Sequence, residues 1–194
     1  MLIVEKDPSS VDTELCTGRL ACPNCAGVLG PWGHAGERSV RRGREEERVR
    51  PRRSRCRSCS KTHVLLPETT LLRRRDHVEV IGTALEARAA GSGYRAIASR
   101  LGRDRFTVRN WLRSFTRLAE ALRAHFTAFA YALDSDLPPI RPMGDTFADA
   151  LAALGVAVRA AIQRHGPHPV WRLAARLSNG ALLHNTICHL PRPS

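Results

Sequence analysis

The sequence is short of lysine: of its 31 basic residues only Lys6 and Lys61 are not arginine. Aromatic residues make up only 5%, which leaves few stacking platforms for an RNA-binding surface. The opening stretch MLIVEKDPSS lacks a basic region followed by a long apolar run, so no secretory signal is expected. No apolar run approaches the roughly 20 residues that a membrane span needs. There is no GxxxxGK[ST] phosphate loop. No Ser/His/Asp or Cys/His spacing supports nucleophilic catalysis. Asp134, Asp136, Asp145 and Asp149 cluster on a linker and a helix start, where capping accounts for two of them. These absences predict a cytoplasmic chain, away from membranes, that binds rather than catalyses. In a reducing compartment, clustered cysteines favour metal over disulfides.

What the sequence has is positive charge in one place. The net charge is +13, yet residues 38–117 carry 22 basic against 8 acidic residues. The rest of the chain is close to neutral. A block of this kind predicts a polyanionic partner, most often nucleic acid.

Inside that block stands RSRCRSCSKTHVLLPE, with Cys56 and Cys59 spaced C-x2-C. Upstream, RLACPNCAGVLGPWGH places Cys22 and Cys25 at the same spacing. Two tight turns, each aiming two thiolates at one ion, complete a tetrahedral zinc shell. Pro23 and Gly27 suit the first turn, Ser58 and Ser60 the second. The segment between them reads as a hairpin with Glu45, Glu46 and Glu47 at its tip, and THVLLP as a further strand. The expected unit is a small β zinc ribbon over residues 16–67, after a flexible N-terminus over 1–15, with structural zinc standing in for a larger apolar core. Four cysteines leave no open position for a catalytic metal. Cys16, His34 and His63 lie near enough in sequence to replace one ligand. No βαβ pattern surrounds either pair, which argues against a thioredoxin-like site. Arg52, Arg53 and Arg55, among the hairpin arginines, are expected to hold phosphates.

Pro67 and the following ETT mark a boundary, and residues 71–91 read as a helix with Val78, Ile81, Leu85 and Ala89 on one face. GYRAIASRLGRDRFTVRNWLRSF then predicts two helices joined at Gly102. Ile97, Ala98 and Leu101 face inward from the first helix, and Val108, Trp111, Leu112 and Phe115 from the second. That leaves Arg105, Phe106, Arg109, Asn110 and Arg113 outward, with chemistry suited to base edges. Thr107 and Tyr94, at the two helix starts, are placed to hold phosphates.

The pattern IA..LG....TV..WL resembles the helix-turn-helix of bacterial transposases, resolvases and repressors over about 22 residues. Arg103 departs from it, since that turn position is often apolar in the family. CPNC and CRSC followed by YRAIASRLG and TVRNWL resemble the DNA-binding region of insertion-sequence transposases. An uncharacterised actinobacterial family shares this order. The resemblance spans roughly residues 16–117 and implies a helix-turn-helix domain over 68–117 in a bacterial, nucleoid-associated protein. It implies double-stranded DNA as partner, with a separate transposase or integrase subunit and a second copy of the chain as further candidates. The catalytic core of those transposases, a longer unit with several strands, is not expected within these 194 residues. Two roles remain open: an accessory or truncated transposase, and a stand-alone transcriptional regulator.

Residues 118–190 read as a helical C-terminal region. A helix running from about Asp104 to Leu133, continuous or broken near Ala124, precedes the linker DSDLPPIRP. A second helix is capped by Asp145 or Thr146, and a third ends at Asn179 and Gly180. Cys188, His189 and the tail LPRPS read as incidental. The predicted fold is therefore mainly α with a small β ribbon at the N-terminus.

Overall fold

The computed structural model describes residues 1–184, so Cys188, His189 and the tail lie outside the described residues. It is mainly α, with a small sheet in the N-terminal region. The strands are β1 (Leu2–Val4), β2 (Leu29–His34), β3 (Arg38–Arg42), β4 (Glu45–Val49), β5 (Arg52–Cys56) and β6 (Thr62–Pro67). The helices are α1 (Pro8–Cys16), α2 (Val78–Ala89), α3 (Tyr94–Leu101), α4 (Arg105–Leu133), α5 (Thr146–His165) and α6 (Val170–Leu177).

Four strands form a sheet in the order β1-β6-β5-β2, and β3 pairs with β4 apart from it. Residues 1–15, expected as a flexible N-terminus, hold β1 and most of α1. Leu2, Ile3 and Val4 pair in parallel with Leu65, Leu66 and Pro67. The Asp7 side chain then caps α1 by accepting from Ser9 N and Ser10 N. Val11 and Leu15 bury against Val4, Leu29 and Leu65, in a cluster that includes Cys22 and Cys56. Three residues of strand carry little local signal, and their partner lies some sixty positions away.

The boundary at Pro67 is a packed junction. Glu68, Thr69, Thr70, Leu71, Leu72, Asp76 and His77 are all buried. The helix expected over 71–91 begins at Val78, because the preceding residues bond elsewhere. Arg41 N donates to Arg75 O and His77 N donates to Arg41 O, which fastens the β3–β4 hairpin to this segment. The hairpin turns at Gly43, so Glu45, Glu46 and Glu47 are not its tip; they lie in β4 opposite Arg42, Arg41 and Val40.

One apolar core joins α2 to α6. In α2, Gly82 lies against Trp171 of α6, whose indole N–H donates to Glu86 (2.9 Å). Gly102 takes the left-handed conformation, φ 60° and ψ 40°, between α3 and α4. α4 runs unbroken for 29 residues, with no interruption near Ala124. Phe115 meets Phe147 near the start of α5, and Arg164 near its end donates to Leu133 O at the end of α4. The two helices therefore run parallel, and residues 134–145 return along α4. α5 has the length and apolar character that a span would need, but eight of its residues are buried.

Candidate metal centre and basic helical face

Cys22, Cys25, Cys56 and Cys59 converge from the two C-x2-C turns, with all four sulfurs within 4.8 Å of one another. The turns are near copies. Cys22 N donates to Gly27 O, and Cys56 N to Lys61 O; Ala26 N donates to Cys22 O, and Ser60 N to Cys56 O. Ala26 and Ser60, each just after the second cysteine of its pair, have φ of 58° and 57°. Each first sulfur accepts a backbone N–H, from Asn24 and Cys59 respectively, both at 3.4 Å. Gly27 lets the turns close together: a Cβ there would stand 2.3 Å from Ser58 Oγ. Such a set of soft donors can hold a metal ion.

The four thiols lie close enough to shift one another's ionisation. The Gly27 N–H favours the Cys25 thiolate, but the neighbouring Cys59, Cys56 and Cys22 outweigh it and push Cys25 up to about 12. The Cys59 N–H, then that of Ser58 and the adjacent thiols, bring Cys56 down to about 6 against its burial. A bound cation favours thiolate at every position. His63 approaches the cluster from outside, its Nε2 3.3 Å from Cys22 Sγ. Burial, then the amino terminus and Lys61, lower its pKa, so a neutral ring can donate to that sulfur. His34 lies against Arg52 instead (3.2 Å), and Cys16 is exposed. Neither belongs to the four-sulfur group.

The helical site is built on the opposite pattern. Val108, Trp111, Leu112 and Phe115 of α4 are buried, together with Ile97 and Ala98 of α3. This leaves Arg105, Phe106, Arg109, Asn110 and Arg113 exposed along one face of α4. Phe106 is 53% exposed, with the Arg105 guanidinium 4.9 Å from its ring centre. The face continues into an open cavity of about 660 Å³ lined by Arg74, Asn110, Arg113, Ser114, Thr116 and Arg117. Burial, then Arg117, lower the pKa of Arg74, which donates to Leu183 O (2.7 Å). Thr107, placed by the sequence to hold phosphate, is half-buried, and the N–H groups beside it are taken: the Asp104 carboxylate accepts from Phe106 N (2.8 Å) and Thr107 N (3.1 Å). At α3, by contrast, Gly93 offers no side-chain cap, which leaves the N–H groups around the half-buried Tyr94 open.

The arginines of β5 divide by the period of the strand. Ser54 and Cys56 point inward and are buried. Arg52, on their side, pairs with Asp12 of α1 at 2.6 Å. Arg53 and Arg55 point the other way and are anchored by neutral oxygens, Thr62 Oγ1 (3.5 Å) and Ser60 O (3.3 Å). Two further residues escaped the sequence reading. Asp76 is 2% exposed and binds arginines from two modules at once. Trp32 is half exposed on β2. The flanking glycine and proline of GPWGH were the only signal for Trp32; nothing local marked Asp76.

Residues 22–111 match a family described as a domain of unknown function, DUF6431. The match takes in both cysteine pairs, the sheet strands β2, β5 and β6, the hairpin, and the chain as far as the second turn of α4. No curated protein and no solved structure matches the chain.

Proposed function

We propose that this chain is a zinc-containing, sequence-specific DNA-binding protein that serves a transposon as an accessory or truncated transposase. The observation that carries the DNA reading is the division of α4. Its first three turns bury Val108, Trp111 and Leu112 and expose Arg105, Phe106, Arg109, Asn110 and Arg113. With α3 and the left-handed Gly102 before it, this supports a helix-turn-helix with α4 as the reading helix. Arginine can bond bidentately to guanine and asparagine to adenine. The open helix start at Tyr94 and the outward Arg53 and Arg55 supply phosphate contacts; Thr107 contributes its hydroxyl at most, since Asp104 occupies the neighbouring N–H groups.

The four-sulfur set fits zinc. Tetrahedral zinc with sulfur at about 2.3 Å sets its sulfurs about 3.8 Å apart, and Cys22 Sγ lies 3.8 Å from Cys59 Sγ and Cys25 Sγ 3.5 Å from Cys56 Sγ. The four thiolates would hold the ion as a structural brace that closes the two turns. Binding rather than catalysis is also supported by three of the four clustered carboxylates, which have backbone partners: Asp145 caps α5, Asp134 accepts from Asp136 N, and Asp149 accepts from Met143 N. The transposon role rests on the order of ribbon and helices that resembles insertion-sequence transposases.

Selection from random duplexes with the intact protein, repeated with Arg109→Ala, tests the reading. The intact protein should enrich one motif. Arg109→Ala should cost about 1–3 kcal/mol at that site and relax preference at one base pair. Absence of any enriched motif would reject sequence-specific binding; an unchanged motif would reject Arg109 as a reader.

A further inference from the structure

Trp32 stands where β2 departs from its register with β5. Pro31 pairs with Ser54 and His34 with Arg52, so Trp32 and Gly33 together face the single residue Arg53. Gly33, at φ 78°, supplies the left-handed step of this bulge. Bulges re-aim side chains, and here an indole is left 49% exposed. The Arg55 guanidinium lies 4.8 Å from the centre of the ring. Arg55 is itself held by Ser60 O, and Arg53 by Thr62 Oγ1. Arg57 lies across Gly30, its Nε 3.4 Å from where a Cβ would stand. One face of the sheet therefore carries an aromatic ring, a guanidinium stacked on it and two flanking arginines.

From this arrangement we infer that the sheet carries a second nucleic-acid site, in which Trp32 and Arg55 stack an unpaired base of single-stranded DNA while Arg53 and Arg57 hold the adjoining phosphates. A base inside a duplex is already stacked on its neighbours and cannot lie on an indole. An unpaired base can, and it stacks equally on a ring or on a guanidinium plane. The charge on this face suits a polyanion. The carboxylates that neutralise other arginines of this region act elsewhere: Asp12 on Arg52, Asp76 on Arg41 and Glu37 on Arg48. The site lies on β2 and β5, apart from the α4 face proposed to read base pairs; Arg53, Arg55 and Arg57 can meet the phosphates of either strand form, and the exposed Trp32 is what a single strand alone would use, which goes beyond the function proposed above.

The test titrates the full, metal-loaded chain into a labelled oligothymidylate of about 12 nucleotides, within the usual span of single-strand sites. An oligouridylate of equal length and a mixed-sequence duplex are run in parallel, with metal content measured for every variant. Trp32→Ala should weaken binding to the oligothymidylate about tenfold and change duplex binding by less than about twofold, while Trp32→Phe keeps most of the affinity. In the unmodified protein, iodide should reach the exposed Trp32 but not Trp111 (2% exposed) or Trp171 (8%), so oligothymidylate should protect the indole emission from iodide. This second measurement stands even if Trp32→Ala fails to fold. Four results would overturn the inference: no saturable single-strand binding, an unchanged Trp32→Ala affinity, equal losses on single strand and duplex, or full iodide quenching in the complex. Tighter binding of the oligouridylate would overturn the assignment to DNA.

Discussion

Asp76 holds two arginines from distant parts of the chain. Arg41 Nη2 of the hairpin reaches one carboxylate oxygen (2.8 Å), and Arg103 Nε of the α3–α4 turn reaches the other (2.6 Å). Arg103 departs from the apolar residue usual in the helix-turn-helix pattern it resembles, and the buried carboxylate is a physical reason for that departure. Asp76→Ala would leave the nearly buried Arg103 uncompensated and should cost about 3–5 kcal/mol in urea unfolding. Glu79 is a second such residue. Burial alone would raise its pKa, but hydrogen bonds from His77 and Arg172 outweigh it and bring it to about 2. A carboxylate depressed in the fold stabilises above its ordinary pKa and loses that contribution as pH falls toward the folded value. Because Glu79 is 37% exposed, its contribution after screening should be about 1–2 kcal/mol. Glu79→Gln should therefore be the less stable protein at neutral pH, with the gap closing between about pH 4.5 and pH 2. A gap that persists at the acid end would show that charge is not its source.

Among the elements, α2 depends on a residue that is poor for a helix. Alanine would favour the helix over Gly82 by about 1 kcal/mol, yet its Cβ would stand 2.1 Å from the Trp171 ring. Gly82→Ala should therefore destabilise by about 1–3 kcal/mol net, visible as a lower melting temperature; a stabilised variant would mean that α6 can move aside freely. In β5 the alternation of faces separates two kinds of arginine. Alanine at Arg53, Arg55 and Arg57 should lower the salt dependence of duplex binding by about 0.9 in log–log slope for each phosphate no longer neutralised. Arg52→Ala, which breaks the pair with Asp12, should leave that slope nearly unchanged and act on stability instead. Equal slopes for the two variants would remove the distinction between the faces.

At the scale of the whole molecule, the ends of the described chain meet. Ile3 N donates to Asn179 Oδ1 (2.8 Å), and Leu72 N donates to Gly180 O (3.1 Å). The N-terminal cluster includes Cys22 and Cys56, so the four-cysteine group and the apolar packing of α1 depend on each other. Metal removal by a chelator should abolish amide-exchange protection across the sheet and α1. It should also loosen the turn at Asn179 and Gly180, and spare α4 and α5, whose core contains Phe115, Phe126 and Leu154. Protection that survives chelation in the sheet would rule out a structural role for the metal.

The sequence by itself determined what depends on short spacings. Each C-x2-C turn brings its two sulfurs together because only two residues separate them. Gly102 turns left-handed because only glycine does so without steric cost. Val108, Trp111 and Phe115 bury because 3.6 residues complete a turn, while the cap of α5, left open between Asp145 and Thr146 in the sequence, falls to Asp145. The tertiary structure decided what depends on distant partners. β1 exists because β6 offers an edge to Leu2–Val4, and the start of α2 moves to Val78 because residues 75–77 bond to the hairpin. Which arginines remain available to a polyanion was decided by Asp12, Glu37 and Asp76, whose positions no local spacing encodes. The parallel course of α4 and α5 is also tertiary, because amphipathic helices specify which face is buried but not the direction in which a neighbour runs along it.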